Sequence, residues 1–283
     1  MNYLTEESIN QFIDAALSED VGDGDHSSLA SIPAAAQSQA RLIIKGNGII
    51  AGIEMAKKII TRVDDKLETE VFIQDGEAVK FGDIAFYVKG SAQSILKAER
   101  LVLNCMQRMS GIATLTRHMV NLISGTSAKV LDTRKTTPNF RMMEKWAVKI
   151  GGGENHRYGL FDMIILKDNH VDYAGGVRKA IESSKEYLKK TNKNLKIEIE
   201  TRNLAEVKEA LETGGMNRIM LDNMKPEVMK EAVKLIAGKY EVEASGGVTA
   251  ETIREIAETG VDYISVGALT HSVQSMDMSL KAF

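Results

Sequence analysis

From residue 129 onward the chain repeats one cycle: a short apolar run, a few polar residues, then a stretch with helical spacing. The apolar runs occupy residues 130–131, 163–166, 197–199, 219–221, 242–244 and 263–266. Runs this short and this apolar, separated by helical segments, predict βα units and a parallel sheet, closed or nearly closed into a barrel. Six strands are fewer than the eight of a full barrel, so an incomplete or variant barrel is expected, with an open doubly wound sheet as the alternative. Asn203 offers a helix N-cap, and Pro138 and Pro226 stand where proline is tolerated at a helix start.

Before residue 129 the period changes. Residues 5–17 read as a helix with acidic residues in its first turn, and EDVGDGDHSS (19–28) as a Gly/Asp-rich loop. Ala40, Leu42 and Ile44 alternate with other residues, as do Ile84, Phe86 and Val88, the mark of half-buried strands. Residues 49–51 and 70–73 suggest further strands. The prediction is an antiparallel sheet with a helix or two. Leu96, Arg100, Leu103, Gln107 and Ser110 then recur at helical spacing in a long helix over 94–123, with Gly111 a candidate kink.

Composition narrows the class. With 283 residues and 43% hydrophobic content, the chain supports one large domain or two smaller ones. A net charge of −3 argues against a general nucleic-acid binder. The sole cysteine, Cys105, excludes an internal disulfide and fits a reducing cytoplasm. The polar, acidic N-terminus does not read as a signal peptide, and no apolar run approaches the ~20 residues needed to cross a bilayer.

The chemistry collects at the predicted strand ends, where catalytic groups project in parallel α/β barrels. These ends carry Asp132-Thr133-Arg134-Lys135, Lys167-Asp168-Asn169-His170, Glu200, Asp222-Asn223, Ser245-Gly246-Gly247 and Gly267. Cations concentrated on a slightly acidic protein need anionic partners, either acidic side chains or a bound polyanion. The last two ends suggest a phosphate site: Gly-rich turns expose backbone N–H groups, and a following helix N-terminus would add its dipole. Arg134, Arg157 and Arg100 suit planar carboxylates, whereas Lys135 and Lys167 act as point charges for phosphate or pyrophosphate. Glu200 and Asp222 can bind Mg²⁺, hold ribose hydroxyls or stabilise a developing cation. The inferred ligands are a phosphorylated sugar and a small multi-carboxylate.

Blander readings compete. Arg100 beside Glu99 is as readily a solvated helix residue. His156 follows a Gly triplet and could merely cap a loop. His26, His118 and His271 read as structural or surface, and His170 has no histidine at metal-ligand spacing. Met142, Met143 and Met163 read as core, Cys105 as a buried helix residue, and the charged residues 185–196 as a solvated helix end.

Taken together, LDTRKTTP, EKWAVKIGGGENHR, FDMIILKDNH, IEIE, MLDNM, EASGGV and SVGALTHS, with EDVGDGDHSS and AERLVLNCMQRMSGIAT before them, resemble the quinolinate phosphoribosyltransferase (nicotinate-nucleotide pyrophosphorylase) family over nearly the whole chain. The departures are small: Trp146 and Lys149 stand where Tyr and often Arg are usual, the loop at 214–217 looks lengthened, and His26-Ser27-Ser28 replaces the usual Leu-Thr. The resemblance implies an α/β fold: an α+β N-terminal sandwich over 1–108 and an incomplete barrel of parallel strands over 109–269, with the tail 270–283 packing on the first domain. It implies transfer of the phosphoribosyl group of phosphoribosyl pyrophosphate (PRPP) to quinolinate with decarboxylation, in NAD biosynthesis, with Mg²⁺, in a homodimer or dimer-based hexamer with shared sites. By the same resemblance Arg134, His156, Arg157 and Lys167 line the quinolinate pocket with Arg100 of the partner subunit. Lys135 belongs to the cationic mouth, Glu200 and Asp222 lie near ribose and metal, and Ser245, Gly246, Gly247 and Gly267 take the 5′-phosphate. A relative acting on another aromatic carboxylate, a phosphate-binding barrel aldolase or isomerase, and a ligand sensor are the rival readings.

Overall fold

The computed structural model describes residues 3–283. Two compact units form. One takes the chain up to Arg117, then Thr136–Gly152 and Leu269–Phe283; the other takes His118–Lys135 and Gly153–Ala268.

The first unit opens with α1 (Glu6–Val21). Thr5 caps it by accepting from Ser8 N, and Glu6 and Glu7 face the positive end of its dipole. α1 runs past the expected residue 17, and α2 (His26–Ser31) begins inside the expected loop because Asp25 caps it by accepting from Ser28 N. The loop is thereby cut to residues 22–25. Next come β1 (Gln37–Ile44), β2 (Gly48–Ile49), α3 (Ile53–Val63), β3 (Glu68–Val71), β4 (Ala78–Val79) and β5 (Ile84–Ser91). β1 and β3 flank β5, both antiparallel to it. The alternation read in the sequence is the buried face: Ala40, Leu42, Ile44, Phe86 and Val88 are all buried. Ile53, Met55, Ala56, Ile59 and Ile60 of α3 join that core. Each large apolar side chain buried this way contributes roughly 1.5–3 kcal/mol.

α4 (Ala92–Leu122) is one unbroken helix through Gly111, so the kink anticipated there does not break it. The glycine serves packing instead: a Cβ at 111 would run into the Gln274 carbonyl oxygen.

The second unit holds β6 (Lys129–Leu131). After it α5 (Arg141–Ile150) returns to the first unit, starting three residues beyond Pro138 rather than at it. β7 (Ile164–Leu166), α6 (Asp168–Ala174), α7 (Val177–Thr191), β8 (Ile197–Thr201), α8 (Leu204–Thr213), β9 (Arg218–Asp222), α9 (Pro226–Ile236), β10 (Glu241–Ser245), α10 (Ile253–Ala257) and β11 (Tyr263–Ser265) follow, and α11 (Ala268–His271) starts on the last residue of this unit and continues in the first. Asn203 caps α8 by accepting from Glu206 N, and Pro226 is the first residue of α9. The six strands are all parallel, in the order β6-β11-β10-β9-β8-β7. This is an incomplete barrel: β6 and β7 are consecutive in sequence yet not paired with each other. Glu154 fills part of that opening, donating its N–H to Val130 O at 2.8 Å and accepting from Asp132 N at 3.1 Å.

The chain closes with β12 (Met278–Ala282), which returns to the first unit and pairs antiparallel with β1, Leu280 opposite Leu42. Helix α5 therefore clusters with the first unit although its residues fall inside the range assigned by resemblance to the barrel.

Candidate active site

The sequence of the barrel strands has two interleaved sets. Ile197 and Ile199, Ile219 and Leu221, and Val242 and Ala244 are buried apolar residues. Between them stand Glu198 and Glu200, Arg218 and Asp222, and Glu241, Glu243 and Ser245. Period two puts each set on one face of the sheet. The polar set meets itself inside the barrel, where branched apolar layers are usual. Arg218 Nη1 lies 2.8 Å from Glu243 Oε2 and 3.9 Å from Glu198 Oε2, and its Nη2 lies 3.0 Å from Glu241 Oε2. The guanidinium also sits over the Tyr263 ring, 4.1 Å from its centroid. Ser265 Oγ donates to Glu243.

His156 enters this cluster from the β6–β7 connection. Its Nε2 stands 3.1 Å from Glu198 Oε2 and 3.2 Å from Glu243 Oε2, with the side chain only 6% exposed. The ring, expected to line the substrate pocket, makes these two contacts with glutamates of the barrel strands. Burial opposes its charge, but the two carboxylates outweigh burial and push its pKa up to about 9. Arg157 N lies 2.7 Å from Nδ1, a contact that suits the uncharged ring. One amide hydrogen bond is worth about 1 kcal/mol net. Two carboxylates at about 3 Å outweigh it, and the ring is a cation at neutral pH. Burial and the neighbouring Glu243 drive the Glu198 carboxyl up. Burial pushes Glu243 the same way, but His156, Ser265 and Arg218 together hold it down, so Glu243 is the ionised partner.

Above the cluster lie the groups picked out by sequence. Asp132, fully buried at the end of β6, accepts from His156 N at 2.8 Å and from Asn155 Nδ2 at 2.6 Å. It thereby ties the strand that delivers Arg134 to the segment that delivers Arg157. Arg157 Nη1 donates to Met163 O at 2.9 Å. Burial and the Arg134 charge lower its pKa. Lys167, at the end of β7, is half exposed, and its Nζ lies 3.4 Å from Glu200 Oε2. Glu200 is buried and also accepts from Asp168 N at 3.2 Å. Asp222 ends the neighbouring β9 and accepts from Asn223 Nδ2 at 2.7 Å. Lys135 follows Arg134, its N–H donating to Thr133 Oγ1. Arg134, Arg157, Lys167, Glu200 and Asp222 thus share one end of the barrel. Arg100 is an exposed residue of α4 in the first unit.

The glycine loops after β10 and β11 adjoin, because those strands pair. Gly246 has φ +98°, and a Cβ there would run into the Asn223 side chain and approach its backbone N at 3.0 Å. Asn223 N in turn donates to Ser245 O at 2.8 Å, so the β9 and β10 loops are locked together. The helix-dipole part of the phosphate reading is reduced here: α10 starts only at Ile253 and has five residues, and α11, directly after Gly267, has four.

In the first unit, Glu144 is fully buried and gathers the segment that follows Lys135. Its carboxylate accepts from Thr137 N at 3.1 Å and Thr137 Oγ1 at 2.9 Å, and pairs with Arg108 Nη2 at 2.8 Å. Sequence reasoning missed Glu144, Arg218, Glu198 and Glu243, and named Asp132 only as a strand-end residue. The signal for the barrel set was present in IEIET, RIMLD and EVEAS: charges at every second position of strands that otherwise read as buried on both faces.

Parallel strand ends bearing an arginine pair, a lysine–glutamate pair and adjoining glycine turns define an α/β-barrel enzyme that grips an anionic, phosphorylated substrate. Models of the N-terminal and C-terminal domains of quinolinate phosphoribosyl transferase match residues 25–110 and 112–281. The chain belongs to the quinolinate phosphoribosyltransferase family. It is 50% identical to quinolinate phosphoribosyltransferase (decarboxylating) 1b of Nicotiana tabacum, over 95% of this chain and 81% of that one. It is 49% identical to the chloroplastic nicotinate-nucleotide pyrophosphorylase (carboxylating) of Oryza sativa subsp. japonica, over 95% and 76%. The crystal structure of NadC from Streptococcus pyogenes superposes with a TM-score of 0.92 at 39% identity, covering 98% of this chain and 97% of that one.

Proposed function

We propose that this enzyme transfers the phosphoribosyl group of PRPP to quinolinate and releases pyrophosphate and carbon dioxide, leaving nicotinate mononucleotide for NAD biosynthesis. The observation that supports the reading is the Lys167–Glu200 pair, Nζ to Oε2 at 3.4 Å, at the strand ends that also bear Arg134 and Asp222, with the Asp132 carboxylate tying the Arg157 segment to β6. Two guanidinium groups delivered to one end of a barrel suit a dianion such as a pyridine dicarboxylate.

The chemistry follows from that placement. The carboxylates of quinolinate are held by Arg134, Arg157 and Lys167, with Arg100 supplied by a partner subunit. That hold aims the pyridine nitrogen at the anomeric carbon of PRPP. The nitrogen forms the new bond as the bond to pyrophosphate breaks, through a transition state with positive charge on the sugar. Glu200 and Asp222 stabilise that charge, and Lys135 and Lys167 the departing pyrophosphate. Ser245, Gly246, Gly247 and Gly267 hold the 5′-phosphate through backbone N–H groups. Once alkylated, the ring nitrogen is cationic and stabilises the electron pair left on ring carbon 2 when the 2-carboxylate leaves as carbon dioxide. A proton then replaces it.

Mg²⁺ fits the donor set as an ion carried with the substrate. Glu200 and Asp222 supply one carboxylate each from adjacent strands, and Mg²⁺ ordinarily binds one or two carboxylates together with phosphates and water. Bound there, it would neutralise charge on the leaving pyrophosphate.

The working unit is read as a homodimer. Leu160 (71%), Phe161 (70%) and Tyr173 (89%) are large side chains left exposed in the second unit, as at an interface. Mixing inactive Arg100→Ala and Arg134→Ala proteins restores activity if sites are shared; no recovery, or a competent monomer in sedimentation, overturns the dimer. A cytoplasmic location fits the sole thiol, Cys105, which is buried with its pKa pushed up to about 12 and forms no disulfide. Among the described residues no helix is long and apolar enough to cross a membrane. The activity is tested by following nicotinate mononucleotide and carbon dioxide together from quinolinate, PRPP and Mg²⁺. Equal yields support the reading, and absence of product from folded dimer overturns it.

A further inference from the structure

We propose that Arg218, Glu198 and Glu243, inside the barrel, are positioning residues for the quinolinate clamp, acting on Arg157 through the ring of His156. This rests on the activity proposed above. Glu198 lies two residues before Glu200 on β8, and Glu243 two before Ser245 on β10, so the cluster sits one layer beneath the site on the same face of the sheet.

The opening between β6 and β7 makes such a device necessary. Arg157 is delivered by a connection, not by a strand. The connection is held by the backbone bonds of Glu154 to β6, by the Asp132 carboxylate at Asn155 and His156, by Glu198 and Glu243 at the His156 ring, and by Arg157 itself, whose Nη1 donates to Met163 O. Through the ring it reaches across to β8 and β10. A guanidinium on a loop without that hold would have to be ordered when the substrate binds, at the expense of affinity. Arg218 keeps the two glutamates in place, since its Nη1 contacts both.

Two other readings of the cluster are weaker. His156, Glu198 and Glu243 bring ligand-type atoms within 4.8 Å of one another, as a metal site would. Arg218, 2.8 Å from Glu243, already supplies a cation to the same carboxylate. A purely structural ion cluster is the second reading, and it makes a different prediction. Buried ion pairs can often be exchanged for apolar residues of similar size without loss of stability. A structural cluster should tolerate that exchange in function too, whereas a positioning cluster should not.

The test is the double variant Arg218→Met/Glu243→Leu with Glu243→Gln beside it, in the full-length protein with saturating PRPP and Mg²⁺. The KM for quinolinate rises about ten- to a hundredfold, the range expected for a slightly misplaced binding group. The KM for PRPP and kcat stay within about twofold, because the phosphate loops and strand-end acids are untouched. An unchanged quinolinate KM in a folded variant overturns the proposal, as does a uniform loss across both substrates. If the double variant fails to fold, Glu243→Gln, which keeps the shape and removes the charge, is read by the same criterion. Wild-type protein inactive on quinolinate would overturn the activity reading instead. Positioning is then read by NMR of uniformly ¹⁵N-labelled protein, which has five histidines. The His156 imidazole resonances and the Arg157 amide must shift together in Glu243→Gln, and an unmoved Arg157 amide refutes the link.

Discussion

Arg218 on β9 and Glu243 on β10 form an ion pair at 2.8 Å in the interior of the barrel, with Glu243 fully buried. Such a pair is costly to assemble and costlier to break. Arg218→Met alone removes one of the two cations beside Glu198 and Glu243, leaving only His156, and should destabilise the protein by about 3–5 kcal/mol, whereas the double exchange with Glu243→Leu should cost far less. Urea unfolding of both variants checks this. A single variant as stable as the double would show that the pair is not coupled.

The His156 ring makes stability depend on pH with a defined sign. Its pKa in the folded chain is about 9, against an ordinary 6.5. The folded state holds its proton more tightly, so the stabilisation is complete below about pH 6.5 and is lost as pH rises through about 9, a loss on the order of 3 kcal/mol. Denaturation midpoints at pH 6, 8 and 9.5 should fall in that order, and His156→Asn should flatten the fall.

Arg134→Ala should reduce kcat/KM for quinolinate by about a hundredfold or more, because it leaves a carboxylate facing Arg157 half paired. Steady-state kinetics with both substrates varied would show it. Near-wild-type kcat/KM would remove Arg134 from the pocket.

Gly246→Ala puts a Cβ into the Asn223 side chain at φ +98°, so the β9 and β10 loops must part. The expected result is a raised KM for PRPP with quinolinate binding retained. Isothermal titration with each substrate separates the two, and equal PRPP affinity would detach this turn from the phosphate.

Most of the barrel was legible because its strands are short apolar runs bounded by polar ends, and all six runs are strands. The strand-end residues were legible for the same reason, since they mark where each run stops. His156 was found as a residue but not as a contact, because its ring is placed by β8 and β10, over forty residues away in sequence. Arg218, Glu198 and Glu243 escaped because chemistry was sought at the strand ends, and the second face that alternates within each strand was not read. Glu144 escaped for a related reason: on a helix it is one more amphipathic acid, and only the folded segment at Thr137 shows that it is fully buried and saturated with donors. The N-terminal loop shrank because Asp25 acts as a cap, a role that turn composition alone does not distinguish from a loop aspartate.

The pairing of β12 with β1 has a consequence for synthesis. The first unit is the first to leave the ribosome, yet one edge of its sheet is supplied by residues 278–282 of a 283-residue chain. Domains ordinarily fold in the order they emerge. Here β1 keeps an unpaired edge until residues 278–282 have emerged, and its exposed ladder is a target for chaperones or for a neighbouring nascent chain. A ribosome stalled before residue 278 should display a protease-sensitive first unit beside a completed barrel, so that the oldest part of the polypeptide is the last to mature.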